Sequence, residues 1–127
     1  MAGAAESLRS LAAEFDCVVV SARSAEAEAF TRAWLEKNIG VAPRLCLRPD
    51  WREKPAQFKV RTIGELQPIA HFEDDPHTAQ WVAELIPAVF LVDWWRNRWL
   101  TVPNVHRIHR IDEALPILRE LAARPRG

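Results

Sequence analysis

Apolar residues along this chain recur with two different periods. Leu8, Leu11, Ala12 and Phe15 recur at helical spacing, so residues 4–15 read as an amphipathic helix. Residues 17–20 form a short, continuous, β-branched run, the pattern of a strand covered on both faces. Ser24 is placed to cap a second helix, with Glu26 and Glu28 in its first turn and Ala27, Phe30, Trp34 and Leu35 on its inner side. Gly40 is placed to end that helix. Residues 44–48 form another brief strand, and 49–55 a loop. Pro55 opens a third helix, with Phe58, Ile63 and Leu66 facing inward. Residues 68–72 are the third strand. Asp75-Pro76 is a cap followed by proline at the first helical position, a strong start for a helix that turns Trp81, Val82 and Leu85 inward. Residues 88–92 are the fourth strand and 105–109 a weaker fifth. Asp112 is expected to cap a last helix through Leu115, Leu118 and Leu121, with Pro116 in its first turn.

Strands alternating with helices, and strands without a polar face, predict a three-layer α/β fold: a Rossmann-like parallel sheet with helices on both faces. With 127 residues the chain is read as a single domain. Charge adds little, because 17 basic and 17 acidic residues cancel and give no pointer to nucleic acid or an anionic membrane. No apolar run approaches the ~20 residues of a spanning helix, and the N-terminal segment lacks the apolar stretch of a secretory signal. A cytoplasmic location with no membrane partner is the expectation. Cys17 and Cys46 have no metal-like spacing and read as buried thiols.

Ligands of open α/β sheets collect at the carboxyl ends of strands. The first strand should end in Ser21-Ala22-Arg23, the third in Glu73-Asp74-Asp75 and the fourth in Asp93, with Lys54 and Lys59 at a helix start between them. A hydroxyl and a lysine can hold phosphate oxygens, and carboxylates can hold Mg²⁺. The plainer readings are open beside these. Asp75 reads more readily as a helix cap than as a ligand, Ser21 equally as a turn residue, and Arg23 as a surface residue. His71 reads as a packed strand residue with a hydrogen bond, His77 as exposed or as a recruit to the acids, and His106 and His109 as edge-strand residues.

The order "VVVSAR", "FKVRTI", "IAHFEDDPHTAQWV" resembles the haloacid dehalogenase superfamily of phosphohydrolases, closest to the phosphatase portion of polynucleotide kinases. The resemblance covers residues 16–93. It implies that Ser21 stands for the second motif and Lys59 for the third, with Lys54 as the alternative. Asp74, with Glu73 or Asp75, stands for the fourth. It implies catalytic roles for Ser21 and Lys59, substrate binding by Arg23 and Lys54, and Mg²⁺ held by Asp74, Glu73 and Asp75. The substrate would be a phosphorylated small molecule or a nucleic-acid end.

The superfamily's first motif, D-x-D-x-[TV], carries its nucleophile, and no D-x-D occurs in this chain. The expectation is therefore a truncated or degenerate phosphohydrolase, inactive alone, whose nucleophile would come from elsewhere. The superfamily's first strand is central. Without it the flanking strands should pair directly, or a strand from another chain, including a second copy, should complete the sheet.

A different class of function rests on "DWWRNRWL", residues 93–100. Tryptophan and arginine interleaved can stack bases or bind a partner, which would make the chain a non-catalytic interaction or nucleic-acid module. The competing reading puts Trp94, Trp95 and Trp99 over an end of the sheet, with Arg96 and Arg98 in solvent.

Overall fold

A computed structural model describes residues 4–24, 28–38, 44–49 and 52–124. The elements run α1 (Ala4–Glu14), β1 (Val18–Ser24), α2 (Glu28–Asn38), β2 (Arg44–Arg48), α3 (Pro55–Leu66), β3 (Ala70–Glu73), α4 (Pro76–Ala83), β4 (Ala88–Val92), β5 (Val105–Ile108) and α5 (Leu115–Ala123). Short 3-10 turns at Trp95–Asn97 and Ile111–Ala114 precede β5 and α5. The chain divides into two compact units, Met1–Thr62 and Ile63–Gly127, with the division inside α3.

All strand pairs are parallel, and the α/β class expected from the alternation holds. The ladders form two small sheets rather than one: β1 with β2, and β3-β4-β5 in that order. The expected direct pairing of the first strand with the third is therefore not among the ladders of the described residues.

In the first unit, Val18 to Ser21 pair in step with Arg44 to Leu47. The ladder then shifts register, and Ser24 pairs with Arg48. The strand thus runs past Ser21 to Ser24; the Ser24 side chain, expected as a helix cap, lies outside the described residues. Ladder pairing is made by backbone groups, so a polar Ser-Ala-Arg-Ser segment does not stop it. Glu26, Ala27 and Gly40 lie outside the described residues. On α2 the buried pair is Thr31 and Leu35, while Phe30 and Trp34, expected inside, are exposed. The two pairs differ by one residue, a rotation of about 100° around the helix.

In the second unit, β4 is the central strand, and Ala88, Val89, Phe90 and Leu91 are all completely buried. A run of consecutive apolar residues belongs where both faces of a strand are covered. α4 presents Pro76, Ala79, Val82 and Ala83 to the interior, with Ile86 buried just beyond it. Trp81 and Leu85, expected inside, are exposed. Ala79, Val82, Ala83 and Ile86 recur at i, i+3, i+4 and i+7, which puts Trp81 on the opposite face. α3 is closed by the residue after it, Gln67, whose φ of 49° is left-handed. Its N–H bonds back to the Ile63 carbonyl at 2.9 Å, and its side-chain amide donates to the Gly64 carbonyl at 2.9 Å. Pro68 follows and forbids another helical turn. Asp112 lies in the 3-10 turn and pairs with Arg110. It does not cap α5, whose cap position is Ala114, although Pro116 does fall in the first turn.

Candidate functional site

The three acids at the end of β3 have different surroundings. His71 and Glu73 are two residues apart on a strand and share a face. Glu73 is only 5% exposed. Its Oε2 accepts the backbone N–H groups of Asp74 and Asp75, each at 3.2 Å. Its Oε1 lies 3.0 Å from Nε2 of His71, which donates in the tautomer protonated there. The carboxylate is folded back onto the loop that follows it. Asp75 caps α4: its Oδ2 accepts from Thr78 N–H at 2.8 Å and from the Thr78 hydroxyl at 2.7 Å. Asp74 is exposed, and its carbonyl accepts from Trp94 Nε1 and Asn97 Nδ2, both at 2.9 Å.

Mg²⁺ needs several oxygen ligands converging at octahedral angles. Among the described residues no three His, Cys, Asp or Glu side chains form such a group. Two of the three expected ligands hold backbone donors of their own loop, so the acidic run fits a resident ion poorly. Asp75→Ala should lower the stability of this unit by about 1 kcal/mol, the usual value of an N-cap, and Asp75→Asn should restore most of it. Chemical denaturation followed by tryptophan fluorescence checks this. An equal loss in both variants would assign Asp75's charge, rather than its cap, the larger part.

The chain leaves β4 through Asp93 into a tightly held turn. Asp93 takes Arg98 at 3.1 Å, Arg107 at 2.9 Å and His109 at 3.6 Å. Hydrogen bonding from Arg98 is the main cause that holds the Asp93 carboxyl below the usual range. Burial opposes it, and the Arg107 hydrogen bond and the charges of Arg98 and His109 reinforce it. Asn97 lies at the centre of the turn, completely buried. Its Nδ2 donates to the carbonyls of Asp74 and Val92 at 2.9 and 2.8 Å. Its Oδ1 accepts from Arg107 Nη1 at 2.7 Å and from Trp94 N–H at 3.3 Å. Arg107 also donates to the carbonyls of Asn97 and Leu100 at 3.0 and 3.3 Å. With these polar groups turned inward, the rings face outward.

Trp94, Trp95 and Trp99 are 37%, 69% and 56% exposed. They do not seal the end of the sheet. With Arg96 they form one wall of an open groove of about 740 Å³, and Asp75, Pro76 and His77 at the start of α4 form the other. The groove lies beyond the carboxyl ends of β3 and β4, where α/β sheets collect ligands. His77 stands against Trp99, ring centroids 5.5 Å apart, and Trp94 meets Trp95 edge-to-face at 6.1 Å. The Arg96 guanidinium lies over both Trp95 and Trp94, 4.8 and 5.6 Å from the ring centroids. Arg98 is exposed, as expected, and its guanidinium pairs with Asp93.

The remaining expected residues belong to the first unit. Ser21 lies inside β1, paired with Leu47, rather than at a strand end. Arg23 lies in β1, and its side chain falls outside the described residues. Lys59 is half-buried on α3, and Lys54 is exposed immediately before it. Sequence reasoning missed Asn97 and Arg107, which hold the groove wall in place. The available signal was a lone amide inside a Trp/Arg cluster, the one side chain there that both donates and accepts. Comparison with protein-family models, with curated proteins and with solved structures gives no match.

Proposed function

We infer that this chain is a binding module whose recognition surface is the tryptophan groove at the carboxyl ends of β3 and β4, and that it does no chemistry of its own there. The observation that carries this reading is the common exposure of three tryptophans along one wall. Exposed aromatic surface gathered in one concavity is the usual mark of a site for a flat or apolar group. Part of this wall is fixed in place: Trp94 is tied by its indole N–H to the Asp74 carbonyl, and the turn is pinned by Asn97. A panel of neutral and charged flat-ring compounds, followed in ¹H–¹⁵N spectra, tests it. Binding should shift the indole N–H signals of Trp94, Trp95 and Trp99, and a Trp95→Ala/Trp99→Ala variant should abolish it. If no ring compound disturbs these signals, the reading fails.

The haloacid-dehalogenase-like phosphohydrolase is the second reading, supported by the acidic end of a parallel strand bordering this groove. In it Asp74 would hold Mg²⁺, and the nucleophile would come from outside the chain. Both readings leave p-nitrophenyl phosphate unhydrolysed by the chain alone with Mg²⁺. Turnover abolished by Asp74→Ala would overturn the binding module and, with it, the account of a nucleophile supplied from outside.

A further inference from the structure

We propose that the groove selects a small molecule that joins a flat ring to a single anionic group, and that Arg96 is the residue that reads the anion. This inference rests on the binding-module reading and names its ligand class. Other arginines of this unit are paired with carboxylates: Arg98 and Arg107 share Asp93, Arg110 has Asp112, and Arg124 has Glu120. Arg96 has no hydrogen bond or ion pair among the described residues; its contacts are the faces of Trp94 and Trp95. Cation–π attraction holds a guanidinium against ring faces without using its five N–H donors, which stay open to a carboxylate, sulfonate or phosphate. An arginine held by rings with its donors unspent is preorganised for an anion.

Among the described residues Arg96 is the only lysine or arginine lining the groove. That argues for one anionic group rather than a polymer. A nucleic-acid strand is held by several phosphate contacts, and this groove offers one cation beside the carboxylate of Asp75. Asp75 adds a further preference. Its Oδ2 is spent on Thr78, and its Oδ1 accepts no hydrogen bond among the described residues. A hydroxyl or amino group on the ring portion would satisfy that oxygen. The volume is that of a small-molecule site, which runs about 300–1,000 Å³.

The test titrates the full chain with adenosine 5′-monophosphate, adenosine, inorganic phosphate, naphthalene-2-sulfonate and a 20-nucleotide oligothymidine, by protein-observed NMR. Adenosine 5′-monophosphate and naphthalene-2-sulfonate should bind, and adenosine and phosphate should each bind at least roughly tenfold more weakly, the value of one charge-assisted hydrogen bond. Arg96→Ala should weaken the two ring anions by the same factor and leave adenosine unchanged. Arg96→Lys should recover only part, because a lysine keeps the charge without the planar fork. Arg110→Ala, which removes an exposed, paired charge elsewhere on the unit, should change nothing. Equal binding of adenosine and its monophosphate overturns the anion inference and leaves the binding module standing. So does indifference to Arg96→Ala. Much tighter oligothymidine binding with a steep salt dependence overturns the small-molecule assignment. Failure of every ring compound overturns both readings together.

Discussion

Replacing Phe90 by alanine is expected to destabilise the Ile63–Gly127 unit by about 4 kcal/mol, the range for removing a fully buried phenylalanine. Phe90 is completely buried at the middle of β4, the central strand of its sheet. Its register partners are Phe72 on β3 and His106 on β5, so three rings stand in one row across the sheet. The ring centroids are 5.1 Å apart on the Phe72 side and 5.6 Å on the His106 side. Alanine would leave a hole between two rings carried on backbone that the ladders hold in place. Phe90→Leu fills most of the volume and should cost about 1.5 kcal/mol or less. Native-state hydrogen exchange at the amides of Val89, Phe90 and Leu91 reads the change within this unit, independently of how the other unit unfolds. A loss under about 1 kcal/mol for the alanine variant would mean that the row of rings is not the pillar of this sheet.

The strands of this unit are legible in the sequence for the reason that makes Phe90 costly to remove. Residues 88–92 are apolar without alternation, and only a strand covered on both faces tolerates that. Asp75-Pro76 is equally legible, because an acid that caps and a proline that needs no N–H donor are both local requirements. Side-chain orientation on helices is less so. Ranking residues by hydrophobicity sends Trp81 and Leu85 inward, but Ala79 and Ala83 are the residues that allow α4 to approach the sheet closely, and the large rings go to the far side. The same inversion places Phe30 and Trp34 outside and Thr31 and Leu35 inside. The end of β1 is not legible either, since the strand continues past Ser21, over an irregularity in the ladder, to pair again at Ser24 with Arg48 of β2.

At the candidate site, residue types are visible in the sequence and their roles are not. Glu73, Asp74 and Asp75 read as one acidic cluster. The fold sorts them into an anchor for a loop, an exposed carboxylate and a helix cap. A carboxylate at a strand end has the same sequence signature whether it faces a ligand or its own backbone N–H groups. The choice is made by the path of the next three residues. The tryptophans of residues 94–99 present the opposite case. Their composition invites the reading that they cover the sheet, but Asn97 takes the buried position among them and turns the rings outward. That arrangement depends on Asp74, twenty-three residues away in sequence, and on Arg107, ten away, and no local pattern carries such contacts.

Asn97→Ala is therefore expected to cost about 3 kcal/mol and to disorganise the groove wall at the same time. The variant leaves the Val92 carbonyl without its side-chain donor and the Asp74 carbonyl with only Trp94 Nε1. Arg107 loses its 2.7 Å acceptor while keeping Asp93. Each buried polar group stranded this way costs about 1–3 kcal/mol, and the retained contacts keep the total below the full sum. Asn97→Asp separates the two halves of the argument. It preserves an acceptor for Arg107 but sets a carboxylate oxygen against the two carbonyls that Nδ2 served, so it should be no better than alanine. A role limited to pairing Arg107 would make aspartate nearly neutral. The measurements are hydrogen exchange at the unit's core amides for stability and the indole N–H signals of Trp94 and Trp95 for the wall. Those signals should move or broaden in both variants under conditions where the core remains folded. Unchanged indole signals with an alanine loss within about 0.5 kcal/mol would show that the turn is held by its arginine–aspartate pairs alone, and that Asn97 neither buttresses the groove nor orients its rings.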